Sequence, residues 1–99
     1  MAHTFIARMK VFPEKEAQFI EACERMEEAV RAHEPDTLYY KFYRLREPHG
    51  FAVIESFKNE AADEAHQQTD HFKAIAPAMI ECLDGGYERE YLDPLKEGE

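Results

Sequence analysis

Glu34-Pro35-Asp36-Thr37-Leu38-Tyr39-Tyr40, then Val53-Ile54-Glu55-Ser56-Phe57, then Ala65-His66 and Asp70-His71-Phe72 are the segments whose reading decides the fold. The residue before a proline avoids helical geometry, so Glu34-Pro35 closes one helix and opens a strand. A second strand follows, and a helix then delivers two histidines. Tyrosine, glutamate and histidine are thereby expected to converge on one side of a sheet, a pattern suited to handling protons.

Working outward, His3 to Val11 alternates, with Phe5, Ala7, Met9 and Val11 on one face and Thr4, Ile6, Arg8 and Lys10 on the other. That period of two predicts a strand. Pro13 suits a first helical turn, and Glu14 and Glu16 have the charge a helix N-terminus favours. From Pro13 to about His33, Phe19, Cys23, Met26 and Val30 form one apolar stripe. Thr37 to Leu45 is rich in β-formers, with Leu38, Tyr40, Phe42 and Arg44 on one face and Tyr39, Lys41, Tyr43 and Leu45 on the other. Arg46 to Gly50 reads as a turn, and Phe51 to Lys58 completes a hairpin. Asn59 caps the next helix and Asp70 a further helical segment, which Asp84-Gly85-Gly86 stops. Tyr87 to Leu92 is a last short strand, and Asp93 to Glu99 a charged tail. The order β-α-β-β-α-β predicts one α+β domain over residues 1–99, the ferredoxin-like or split βαβ unit. Both faces of the hairpin are apolar, so the sheet must be covered twice, by helices on one side and by something else on the other.

Composition narrows the functions. Hydrophobic residues make up 44% of the chain, which argues for a folded globule. The formal net charge of -9, with no basic cluster, argues against nucleic acid and anionic membrane surfaces as partners. Cys23 and Cys82 lie among apolar helical neighbours and in no zinc spacing, which predicts buried reduced thiols in a cytoplasmic protein. No signal peptide or membrane span is expected from the apolar runs. Glycine-rich phosphate loops and nucleophile elbows are absent, so nucleotide-dependent and hydrolase chemistry fall away.

Taken together, Glu34-Pro35 with Leu38 and Tyr40, the strand ending Glu55-Ser56-Phe57, and the pairs Ala65-His66 and His71-Phe72 resemble the antibiotic biosynthesis monooxygenase family, which includes small quinol monooxygenases. The resemblance covers nearly the whole chain. It implies a dimeric α+β barrel, in which two ferredoxin-like units pack sheet to sheet as a homodimer. It also implies a pocket between sheet and helices, and oxidation of a small aromatic quinol or phenol by O₂ without metal, flavin or haem. One departure is Phe57, where the family carries tryptophan; an indole N–H donor is thereby lost. The haem-degrading branch is similar too, but Met9, His66 and Ala76 stand where it carries asparagine, tryptophan and histidine, which argues against haem ligation.

Oxygenation without a cofactor needs an electron-rich substrate, and deprotonating a phenol provides one, so a proton acceptor in a dry site is required. His66 is the candidate base, Tyr40 the group that positions the ring, and Glu55 the carboxylate that fixes the imidazole. Phe57, His71 and Phe72 are candidates for substrate contact. His66 and His71 are not at the spacing that stacks on one helix face, so no metal site is expected. His3, His33 and His49 read as terminus, helix-end and turn residues without chemistry. A ligand-binding or stress-response protein without activity, and a small-ring isomerase, are alternatives that the same fold accommodates. The homodimer is expected through the sheet face of Tyr39, Tyr43, Ile54 and Ser56.

Overall fold

The computed structural model describes residues 2–96. Strand β1 (His3–Lys10) leads through a 3₁₀ turn (Pro13–Lys15) into helix α1 (Glu16–His33). The hairpin β2 (Thr37–Arg44) and β3 (Gly50–Phe57) follows, then helices α2 (Glu60–Gln67) and α3 (Asp70–Ile80), and strand β4 (Glu88–Tyr91). The sheet order is β2-β3-β1-β4 with every pairing antiparallel, the ferredoxin-like arrangement expected from the sequence.

The core lies between the sheet and the helices. The α1 stripe of Phe19, Cys23, Met26 and Val30 is buried as its spacing predicts. It meets Ala7, Met9, Phe51 and Val53 of the two central strands at one end of the molecule, and Ile75 and Ala76 of α3 at the other. On the far face of the sheet Tyr39 and Tyr43 are exposed and Ile54 and Ser56 half-buried; no helix covers them. The two tyrosine hydroxyls contact each other there.

Two local expectations change. Leu38 does not share a face with Tyr40: Thr37 pairs with Phe57 and Tyr39 with Ser56, so a bulge at Leu38 shifts the alternation and leaves that side chain 60% exposed. Thr37 takes the inward position instead. The cap of α3 is Thr69, whose Oγ1 accepts from the Phe72 N–H, and Asp70 is the first helical residue. Asn59 caps α2 as expected, accepting from the Ala62 N–H. Strand β2 is an edge strand, and the Glu27 carboxylate of α1 accepts its Phe42 N–H at 2.8 Å, which satisfies a donor that would otherwise face a foreign strand. Of the charged tail, residues 97–99 lie outside the described residues.

Candidate active site

Glu55 sits on the inner face of β3, flanked in register by Phe5 of β1 and Tyr40 of β2. The same parity that buries Phe51, Val53 and Phe57 buries this carboxyl, at 8% exposure. Burial drives its pKa up to about 8; the Arg89 charge opposes the rise, and the charges of Asp63 and Glu34 add to it. The nearest partner nitrogen, His66 Nε2, is 3.9 Å from Glu55 Oε1, beyond hydrogen-bond reach. Among the described residues the carboxyl has no hydrogen-bond partner, and its oxygens stay accessible at the cavity.

What it faces is a cavity of about 70 Å³, walled by Tyr40, Glu55 and Phe72 together with Phe42, Met26 and Met79, with Ile80 and Tyr87 at exposed positions on its lining. Tyr40 is the second polar group on this wall. Its phenol is pushed well above its ordinary pKa by burial first and by the Glu55 charge second, so it stays a neutral donor. A dry apolar cavity that admits benzene has a volume of ~150 Å³. A substituted ring thus enters only as the wall gives way, and the unbranched Met26 and Met79 side chains are suited to that.

His66 lies behind this wall rather than on it. The end of α2 buries the imidazole to 2% exposure between Tyr40, Phe57 and Phe72, with ring centroids 5.3, 5.4 and 5.0 Å away. Its Nδ1–H donates to the Glu34 carboxylate at 2.8 Å. The expectation that Glu55 fixes the imidazole is therefore corrected: Glu34, at the turn after α1, does so. The expectation that His66 stands closest to a substrate hydroxyl also changes, since Glu55 and Tyr40 line the cavity and His66 does not.

Glu34 is a hub that the sequence reading missed. Its carboxylate also accepts from His71 Nε2 at 2.5 Å and from Thr37 Oγ1 at 2.8 Å. Burial pushes the Glu34 pKa up, but the hydrogen bonds from His66, His71 and Thr37 outweigh it and hold the group below its ordinary value. His71 thus belongs to the Glu34 cluster and not to the cavity wall, and its ring stacks on His33 at 5.9 Å. Phe57 is fully buried in the packing behind the wall, stacked on Phe5 at 6.4 Å, so of the three expected contact residues only Phe72 lines the cavity. One nitrogen each from His66 and His71 and one oxygen from Glu34 lie within 4.8 Å of one another. The reason is topological: the break between α2 and α3 puts the two histidines on different helices, so their sequence spacing does not keep them apart.

A second network closes the other side. Asp63 of α2 is 3% exposed and accepts from Arg89 of β4, at 2.6 and 3.3 Å, and pairs with His3 Nε2 at 3.0 Å. The Arg89 guanidinium lies 4.0 Å from the Phe5 ring centroid. Burial would raise Asp63, yet Arg89 holds it below the ordinary range, and Arg89 in turn supplies the positive charge felt by Glu55.

A ferredoxin-like α+β domain with a polar-edged apolar cavity beneath its sheet defines the class. The sequence pattern of the antibiotic biosynthesis monooxygenase family matches residues 2–78, and the chain belongs to that family. It is 34% identical over 77 residues to the protein named "Putative monooxygenase YcnE" of Bacillus subtilis (strain 168), a match covering 78% of this chain and 81% of that one. The crystal structure of a "putative antibiotic biosynthesis monooxygenase" from Caulobacter crescentus CB15 superimposes with a TM-score of 0.89 at 31% identity, covering 96% of this chain and 91% of that one. A conserved protein from Methanosarcina mazei Go1 gives a TM-score of 0.85, also at 31% identity, over 93% and 91% of the two chains. A monooxygenase-like function follows from the family and these names. No helix among the described residues is long and apolar enough to cross a membrane.

Proposed function

We propose that this protein is a cofactor-independent monooxygenase that oxidises a small aromatic quinol or phenol with O₂ in the cavity beneath its sheet. The observation that carries the reading is Glu55, a carboxyl 8% exposed, without a hydrogen-bond partner among the described residues, on the wall of an apolar cavity. A buried polar group without a partner is costly. A substrate hydroxyl is the partner it lacks.

In this scheme the phenol gives its proton to the Glu55 carboxylate, and Tyr40 donates to the substrate oxygen and orients the ring. The phenolate passes an electron to O₂. The resulting superoxide and phenoxyl radical combine to form a C–O bond at a ring carbon. Loss of that carbon's hydrogen and cleavage of the O–O bond leave one oxygen atom as a new carbonyl and release the other as water. Phenol plus O₂ then balances against quinone plus water. His66 acts behind Glu55 as a positioning residue: Glu34 holds its Nδ1–H, and its Nε2 stands 3.9 Å from the Glu55 carboxyl. Phe72 and the methionines give the cavity an apolar lining that disfavours water around the bound ring, which protects the radical pair. The molecule acts as a homodimer through the face of Tyr39 and Tyr43, and its two buried free thiols suit a reducing, cytoplasmic setting.

The test is oxygen uptake by chelator-treated protein with a panel of hydroquinones and phenols. One O₂ consumed per quinone formed is expected, and Glu55→Gln should lower kcat by roughly 10²–10⁴, the scale of a lost general base. Absence of uptake across the panel, or full turnover in the Gln variant, would overturn the assignment.

A further inference from the structure

Behind the cavity wall, Glu34, His66 and His71 form a second constellation, of which the oxidation scheme uses only His66, and that as a positioning group. We infer that Glu34 Oε2, His66 Nδ1 and His71 Nε2 constitute a binding site for one divalent first-row transition-metal ion of the zinc type. None of the three lines the cavity, so ion binding can be measured apart from oxidation.

The donor set is two imidazole nitrogens and one carboxylate oxygen, a three-ligand arrangement that zinc accepts with one position left for water. Zinc–nitrogen and zinc–oxygen bonds of about 2.0–2.2 Å put tetrahedral ligands ~3.4 Å apart. Here the carboxylate oxygen is 2.8 Å from His66 Nδ1 and 2.5 Å from His71 Nε2, and all three donors lie within 4.8 Å of one another. For a tetrahedral ion the two carboxylate–imidazole separations must widen by under ~1 Å, and the two imidazole nitrogens, within 4.8 Å of each other, must approach ~3.4 Å. The ion would replace the N–H protons that now bridge the same atoms.

The surroundings are those of a supported site. Thr37 Oγ1 donates to Glu34 Oε1, the oxygen further from the proposed ion, and fixes the carboxylate plane. The His66 ring is held by packing between Tyr40, Phe57 and Phe72, with its other nitrogen 3.9 Å from the Glu55 carboxyl. His71 stacks on His33, which restrains its ring. One carboxylate and two neutral imidazoles leave a divalent ion with a single net positive charge, in a chain of formal charge -9. Solvent reaches the cluster through shallow depressions beside it, one bordered by Asp36, Ala62 and Ala65 and the other by His33, Thr69 and Asp70.

The experiment uses the full chain stripped with a chelator and then titrated with Zn²⁺ by calorimetry and with Co²⁺ by its visible d–d absorption. Saturation at one ion per chain is expected, with shifts of the His66 and His71 ring resonances and none at His3 or His49. Thr37→Val, which keeps all three ligands, should weaken binding by roughly 10–100-fold, the cost of losing an outer-shell partner. Glu34→Gln and His71→Ala should weaken it further, each checked for retained fold by circular dichroism. Binding that persists in Glu34→Gln and His71→Ala but falls in His3→Ala or His49→Ala would identify adventitious surface histidines and overturn the inference. So would the absence of saturable binding in the wild-type chain.

Discussion

Replacing Glu55 by glutamine should change how the stability of this protein depends on pH. Burial raises the Glu55 pKa from an ordinary 4.5 to about 8. Between those values the folded chain holds a proton that the unfolded chain has released. The native state is then the one that binds more protons, so stability falls as pH rises through this window and levels off above about 8. Each pH unit is worth ~1.4 kcal/mol for one such group. From pH 6 to the folded pKa the wild-type chain should lose roughly 2–3 kcal/mol from this source, and little more by pH 9. Glutamine has nearly the same shape and does not ionise, and Glu55 makes no hydrogen bond in the fold that glutamine would break. The variant should therefore match the wild type within about 1 kcal/mol at pH 6 and exceed it by roughly 2–3 kcal/mol at pH 9. Every other ionisable group is common to both proteins and cancels in the difference. The assay is urea unfolding of both proteins at pH 6 and pH 9, in chelator and at one protein concentration, since association would otherwise shift the midpoint. A stability difference that stays constant across this range would refute the assignment of Glu55 as a buried, high-pKa carboxyl.

The remaining predictions concern the same wall and its opposite face. If ionised Glu55 accepts the substrate proton, kcat/KM of chelator-treated wild-type protein should rise with pH to a plateau, with its midpoint near the folded pKa of about 8; a rate that falls over the same range would contradict that role. Arg89, Asp63, Glu34, His66 and Tyr40 face Glu55 from the neighbouring elements, and Arg89→Met should move the midpoint upward by removing the charge that opposes the shift. Light scattering at micromolar concentration should give a homodimer for the wild type and a monomer for the Tyr39→Glu, Tyr43→Glu double variant, whereas a wild-type monomer would remove the sheet-to-sheet interface from consideration. Phe57→Ala should cost roughly 3–5 kcal/mol in a thermal or denaturant melt, as a fully buried ring does, instead of mainly weakening substrate binding.

The sequence carried most of the fold because its signals are local. Alternation along Phe5, Ala7 and Met9, and the spacing of Phe19, Cys23, Met26 and Val30, specify a strand and a helix within a few residues of chain, and each of these side chains is buried. The bulge at Leu38 escaped that logic because it is a property of cross-strand register, fixed by which residue of β3 stands opposite Thr37 and which opposite Tyr39. Strand parity correctly placed Tyr40, Glu55 and Phe57 on one face. It could not distinguish Phe57, packed against Phe5, from Glu55, which borders the cavity, because the opening depends on the gap left where the two ends of the core meet.

Glu34 is the clearest case of a role invisible to local reading. Before Pro35 it has a sufficient explanation as a helix end, yet its imidazole partners lie 32 and 37 residues further along the chain. Asp63 likewise reads as one more charge on a helix surface until β4 brings Arg89 against it, 26 residues later. In both cases a buried acid is kept ionised by donors from distant elements, while Glu55, which has no such donors, is driven toward its neutral form. Three carboxyls thus differ in charge state through their depth of burial and their partners. The one left without a partner is the one that borders the cavity, and that contrast is the physical ground for assigning the substrate proton to Glu55 and a supporting role to His66.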